Sequence, residues 1–142
     1  GVYRAKDQKT EQPCIVKEFL GLRPEEFALP ASVLLNRIHP TLPEVFDHFS
    51  LDDDHHYLIM ESVEGESLTD RLKRRKTLTE WEAANWMGQV LAALDYLHNR
   101  TPPILHGDVK PDNILITPDA EAVLVDYGIG QRLNLLVQIG RR

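Results

Sequence analysis

The chain holds one cysteine, Cys14, in 142 residues. An internal disulfide and a cysteine-based zinc cluster are therefore excluded, and a reducing cytoplasm is the expected compartment. Positive charge is also scarce: 16 Lys and Arg against 22 Asp and Glu leave a net charge of -6. The clustered basic footprint of a nucleic-acid module is missing. No run approaches the ~18 apolar residues of a membrane helix, and no secretory apolar segment stands at the start. The six histidines lack the paired spacing of zinc ligands; His55 and His56 are simply adjacent in a polar stretch. Internal repeats and low-complexity tracts are absent as well. What is present, 42% apolar and 27% charged residues, is an ordinary globular composition able to build a core.

Two short β-branched and aromatic segments, 2–6 and 13–19, flank the polar stretch DQKTEQ and predict a hairpin. Pro24 followed by Glu25 and Glu26 predicts a helix start, because proline suits the first turn and acids complement the positive dipole end. Phe27, Ala31, Leu34 and Ile38 then recur at helical spacing, with Pro30 inside the helix or restarting it. Residues 45–51 and 57–60 read as strands around the acidic turn 52–54, completing an antiparallel sheet. Ser67 with Asp70, and Thr79 with Glu82, are capping-box patterns announcing two helices. The second runs to about His98, with Leu91, Leu94 and Leu97 expected on its core stripe. A small hairpin, 114–117 and 122–125, follows. The basic run of Arg71, Lys73, Arg74, Arg75 and Lys76 ends the first of these helices and suits its negative dipole end.

The chemistry concentrates in the stretch ILHGDVKPDNIL, residues 104–115. Gly107 and Pro111 make it a loop, and Asp108, Lys110 and Asn113 load it with a carboxylate, an ammonium and an amide. Asp126 follows an apolar strand and precedes Tyr127-Gly128. Upstream, Cys14-Ile15-Val16-Lys17 places a lysine on a strand, and Met60-Glu61-Ser62-Val63-Glu64-Gly65 ends another in a glycine turn.

Taken in order, these motifs make the chain resemble the bacterial serine/threonine protein kinases of the eukaryotic type, across nearly its whole length. The resemblance implies an α+β, protein-kinase-like two-lobed fold in truncated form: residues 1–61 a small lobe, residues 62–142 the hinge and the first part of a large lobe. It implies ATP and Mg2+ as cofactors and a protein Ser or Thr hydroxyl as acceptor. Asp108, Lys110 and Asn113 would be catalytic, Asp108 orienting or deprotonating the hydroxyl and Lys110 neutralising the transferred phosphate. Val2, Lys17, Glu61, Val63, Leu115 and Asp126 would bind the nucleotide. Lys17 would hold the α- and β-phosphates, Glu61 and Val63 would meet adenine through backbone groups, and Leu115 would lie beneath it. Asn113 and Asp126 would hold the metal. Met60 would be the gatekeeper, and His106 and Tyr127 members of a packed column.

Departures from the family pattern carry expectations too. Gly107 replaces the arginine that receives a phosphorylated activation loop, so control without that phosphorylation is expected. Ile15 replaces the usual alanine above adenine. The position of the glutamate that pairs with the strand lysine falls at Pro30 or Ala31, leaving Glu26 or Glu25 as substitutes one turn away. Glu18 points to the other side of its strand from Lys17. Only Gly1 remains of the glycine loop, and no Ala-Pro-Glu motif follows, so the chain reads as a piece cut at both ends and inactive in isolation. The alternative is a nucleotide-binding or scaffolding pseudokinase. An aminoglycoside-type small-molecule kinase also uses a His-Gly-Asp loop, but usually continues with histidine where Lys110 stands.

Overall fold

A computed structural model describes residues 1–35, 39–101 and 103–126; the side chains of residues 29 and 30 are not described. The described residues form two compact units, one from residues 1–35 and 44–62, the other from residues 39–43 and 63–126. Residues 39–43 thus group with the second unit although they lie within the 1–61 stretch. No described helix is long and apolar enough to cross a membrane.

The first unit is a four-stranded antiparallel sheet with one helix. Strands β1 (Val2–Lys6), β2 (Pro13–Leu20), β3 (Val45–Ser50) and β4 (His55–Glu61) lie in the order β1-β2-β4-β3. The turn after β1 is closed by the Asp7 carboxylate, which accepts from the Lys9 and Thr10 amides at 2.7 and 2.9 Å. Helix α1 (Pro24–Leu34) starts at Pro24 as its sequence requires and runs unbroken through position 30. It buries Phe27, Ala31 and Leu34, positions i, i+4 and i+7 of one face. Ile38, the next residue of that series, lies outside the described residues.

The sheet has two chemically different faces because side chains alternate along a strand. His56, Leu58 and Met60 of β4 are buried. Between them Tyr57 turns outward, where its hydroxyl and that of Tyr3 both donate to the Glu18 carboxylate, at 3.0 and 2.9 Å. These two bonds hold the Glu18 carboxyl below its ordinary pKa. Glu18 is therefore committed to the face opposite Lys17, as strand geometry requires.

The second unit combines two helices with a three-stranded sheet. Helix α2 (Leu68–Arg75) follows the short strand β5 (Glu66–Ser67), and helix α3 (Glu80–His98) follows α2. A 3-10 turn at Pro111–Asn113 leads into β6 (Ile114–Ile116), which pairs with β7 (Ala122–Leu124). The sheet order is β5-β6-β7. Both anticipated helix caps form: Ser67 accepts from the Asp70 amide, and Thr79 and Glu82 make a reciprocal capping box. Bonds from the Thr79 amide and the Arg75 guanidinium hold the Glu82 carboxyl down at about 2.

One expectation fails on α3. Leu97 is buried, but Leu91 is 65% exposed, and the buried stripe is Trp86, Val90, Ala93 and Leu97. At about 100° per residue, six residues turn a helix by about 240°, so Leu91 and Leu97 cannot share a face. The pairing of β5 with β6 was also not foreseen, because two residues carry no periodicity to read.

That pairing depends on Gly65. A Cβ there would lie 2.8 Å from the carbonyl oxygen of Ile116 and 3.1 Å from its carbon, both backbone atoms that cannot swing aside. Gly65→Ala is expected to prise β5 from β6 and to cost about 1–3 kcal/mol, the usual penalty of overpacking. Hydrogen exchange of the amides of residues 66–67 and 114–116 in the full-length protein, with and without the change, measures it; equal protection would contradict the expectation.

Candidate active site

The loop 104–113 supplies one side chain after another to a single small region of the second unit. His106, 1% exposed, anchors it. Its Nδ1 lies 3.2 Å from the Asp108 amide, which can only donate, so the ring proton sits on Nε2 and is donated to the Val125 carbonyl at 2.8 Å. A neutral ring bridging loop and strand matches the structural role expected of His106. Gly107 carries the chain through φ +76, a conformation that favours glycine.

Asp108 then meets Lys110 and Asn113. One carboxylate oxygen is 2.9 Å from Lys110 Nζ and accepts from Asn113 Nδ2 at 3.0 Å. The same Asn113 amide nitrogen donates to the Asp108 carbonyl at 2.8 Å. The Lys110 bond, ahead of the Asn113 bond, lowers the Asp108 pKa, and Lys110 is raised in turn, chiefly by Asp108 and further by Asp112 and Asp126. Asp108 is thus an ionised acceptor held at a set angle, while about a third of its side chain stays open to solvent.

Asp126 arrives from the other strand. The Val125 amide donates to the Asn113 carbonyl at 2.8 Å, which sets the residue before Asp126 beside Asn113. Asp126 itself adopts φ +61 and is exposed. A non-glycine residue in this region is uncommon and costs of order 1 kcal/mol, which persists where surrounding bonds over-determine it. Here the bonds of Val125 to Asn113 and His106 do so. Tyr127 and Gly128 lie outside the described residues.

The donor set is suited to magnesium. With its nitrogen committed to Asp108, Asn113 would offer its amide oxygen and Asp126 its carboxylate; both are hard oxygen donors. Among the described residues no group of three or more His, Cys, Asp or Glu side chains gathers as a cage. Magnesium asks for none, since it takes one or two protein oxygens and fills its shell from phosphates and water.

Leu115, in the middle of β6, alternates with Ile114 and Ile116, which are each 3% exposed, and so presents its side chain to the opposite, half-open face. In the first unit, Lys17 stands opposite Val2 on β1 and opposite the buried Leu58 on β4, so these three share a face. Ile15 and Phe19 alternate onto that face as well, and Phe19 packs against Phe27 of α1 at 5.6 Å. Met60 is buried, and Glu61 ends β4, where its amide donates to the Glu44 carbonyl at 2.8 Å and its carboxylate accepts from the Glu44 amide. Val63 follows in the segment leading to β5.

The two anticipated substitutes are engaged at the helix start. Glu26 accepts from the Arg23 amide and guanidinium, both at 2.9 Å, and Glu25 lies 3.2 Å from the same guanidinium. Both acids are drawn to the helix start, where the macrodipole and the unsatisfied amides favour negative charge. The face of α1 turned to the sheet carries Phe27, Ala31 and Leu34 and no carboxylate.

The protein kinase domain model matches residues 1–138 of the chain. Over 99 residues the chain is 40% identical to the serine/threonine-protein kinase tousled-like 2 of Xenopus tropicalis, a match covering 68% of this chain and 14% of that protein. It is 35% identical over 91 residues to the serine/threonine-protein kinase B of Synechocystis, covering 63% of this chain and 15% of the other. The chain thus spans about a seventh of the length of these relatives, and animals and a cyanobacterium both supply them. Among solved structures, the crystal structure of Rad53 1–466 in complex with AMP-PNP superimposes with a TM-score of 0.79 at 28% identity, over 90% of this chain and 34% of that one. The α+β arrangement, the loop 104–113 and these matches agree: the chain belongs to the protein kinase family.

Proposed function

We propose that the complete protein transfers the γ-phosphate of ATP, with Mg2+, to a serine or threonine hydroxyl of a protein. The observation that carries this reading is the Asp108 carboxylate held between Lys110 and Asn113, with Asp126 kept in a strained conformation beside them. In the reaction the acceptor oxygen attacks the γ-phosphorus, the bond to the β–γ bridging oxygen breaks, ADP leaves, and the hydroxyl proton passes to Asp108. Because Lys110 depresses its pKa, Asp108 is a weak base; it orients the hydroxyl and takes the proton late. Lys110 neutralises charge on the moving phosphoryl group. Magnesium, held by Asn113 and Asp126, would neutralise the phosphates. Lys17 takes the α- and β-phosphates, the backbones of Glu61 and Val63 take adenine, and Val2 and Leu115 contribute apolar contacts to it. The working compartment is the cytoplasm, a reading supported by a single cysteine, Cys14, which allows no internal disulfide.

A second reading, a nucleotide-binding pseudokinase, is favoured by one observation: α1 presents no carboxylate on its sheet-facing side, and Glu25 and Glu26 are engaged by Arg23. One experiment separates the two. The full-length protein is incubated with radiolabelled ATP, Mg2+ and a protein acceptor, while its melting temperature is followed with and without ATP–Mg2+. Stabilisation by ATP–Mg2+ that disappears in Lys17→Met, together with label on serine or threonine, is the expected result. Stabilisation without transfer supports the pseudokinase, and neither effect would overturn both readings.

A further inference from the structure

The hairpin that carries the candidate site is gripped at its far end by α3. Trp86 is fully buried, and its indole Nε1 donates to the Ala120 carbonyl at 2.9 Å. One helical turn on, the Gln89 side-chain oxygen accepts from the Ala122 amide at 2.7 Å, while its amide nitrogen donates to the Glu121 carboxylate. The orientation of that amide follows from its partners: a carboxylate only accepts and a backbone N–H only donates. Three consecutive residues, Ala120, Glu121 and Ala122, are thus bonded to two side chains three positions apart on one helix.

The turn they hold is an awkward one. Ala120 adopts φ +61, and the turn is closed by the Ala120 amide on the Thr117 carbonyl and the Thr117 amide on the Glu121 carbonyl, both at 2.9 Å. β7 is an edge strand of its sheet as described, so its outward amides lack a strand partner. Gln89 satisfies that of Ala122, and the Thr41 carbonyl satisfies that of Leu124 at 2.9 Å. From this grip to the site is a short, stiff distance. Three residue pairs, Ile116 with Ala122, Leu115 with Val123 and Ile114 with Leu124, separate the turn from Asn113 and Val125, about 10 Å at ~3.3 Å per residue. A shift or rotation of the turn is carried along the paired strands to the Val125–Asn113 bond, and so to Asp126.

We propose that Trp86 and Gln89 are positioning residues: by holding Ala120, Glu121 and Ala122 they set the placement of Asn113 and Asp126 without touching nucleotide or acceptor. This rests on the metal-binding reading of Asn113 and Asp126 given above. The experiment uses Gln89→Glu in the full-length protein, which keeps an acceptor for the Ala122 amide but sets a second carboxylate against Glu121. Displacement of a catalytic group by a fraction of an ångström is expected to lower kcat about 10-fold and to raise the Mg2+ concentration for half-maximal rate, with KM for the acceptor within about two-fold. Adding Glu121→Gln restores a donor facing an acceptor, and is expected to recover kcat to within about two-fold of the parent. Trp86→Phe, which keeps a six-membered aromatic ring but loses the N–H and part of the buried volume, is expected to lower kcat in the same way.

Hydrogen exchange of the Val125 amide reads the coupling independently of activity. Its protection is expected to fall about 10-fold in Gln89→Glu and to return in the double variant, because local opening governs exchange. If the parent protein transfers no phosphate, the functional reading fails and this exchange measurement alone decides the positioning claim. Unchanged Val125 protection overturns the proposal, and so does a Gln89→Glu defect that Glu121→Gln does not relieve.

Discussion

Asp126→Asn in the full-length protein is expected to reduce phosphoryl transfer by about a thousand-fold, or about 4 kcal/mol of transition-state stabilisation, with little change in melting temperature. The substitution is chosen for its backbone as much as its charge. Asp126 sits at φ +61, a conformation that asparagine tolerates as readily as aspartate, so the bonds of Val125 to Asn113 and His106 survive. What is lost is one negative charge at the point where the Asn113 amide oxygen and this carboxylate would share a cation. Two protein oxygens are few, and removing the only charged one leaves magnesium with a neutral amide. Raising Mg2+ should therefore recover part of the rate, which a folding defect would not allow. Asp126→Ala is a poorer test, since alanine at positive φ adds backbone strain to the lost charge. Retention of more than a tenth of the parent rate in Asp126→Asn would remove Asp126 from the metal site.

The loop 104–113 was legible because its message is local. Gly107, Asp108, Lys110, Pro111 and Asn113 lie close together in sequence, and the Asp108 carboxylate meets Lys110 and Asn113 within the loop. Hairpin β1–β2 and the caps at Ser67 and Thr79 were legible for the same reason: a turn or a cap is a property of a few neighbouring residues. The failures have several sources. Glu25 and Glu26 suit the helix start and could reach the sheet only in a helix shifted by about one turn; Arg23, which engages both at the start, carries no pattern that announces a cap. Leu91 is a core residue by type, but its angular position on α3 puts it outside. Trp86 and Gln89 reach residues 32 to 34 positions away, a separation at which helical periodicity says nothing about partners. A buried tryptophan does carry a general hint, because its N–H must find an acceptor; which carbonyl it finds is set by the fold.

Phe27→Ala is expected to cost about 3–5 kcal/mol, the usual range for emptying a buried aromatic site, and to do so in the first unit alone. Phe27 is fully buried, and its ring meets three rings of the sheet. Its ring stacks on His56 at 5.0 Å, meets His48 edge-on at 5.7 Å and leans on Phe19 at 5.6 Å. His56 is itself fully buried and fixed at both nitrogens, by the Leu22 carbonyl at 2.7 Å and the Ser50 hydroxyl at 2.6 Å. It cannot swing into the space a missing phenyl leaves without abandoning a buried hydrogen bond, so the cavity collapses poorly and the cost lies toward the upper end. Such a loss is a large part of the 5–15 kcal/mol that holds an ordinary domain together. Two compact units make a single unfolding free energy ill-defined, so hydrogen exchange resolved by segment is the appropriate measurement. Amides of Pro24–Leu34 and His55–Glu61 should lose protection by about a hundred-fold or more, while those of Glu80–His98 keep theirs. Phe27→Leu, which retains much of the volume, should cost roughly a third as much. An exchange pattern in which Phe27→Ala leaves α1 as protected as the parent would show that the helix is held by its Arg23–Glu26 start and its backbone rather than by this ring.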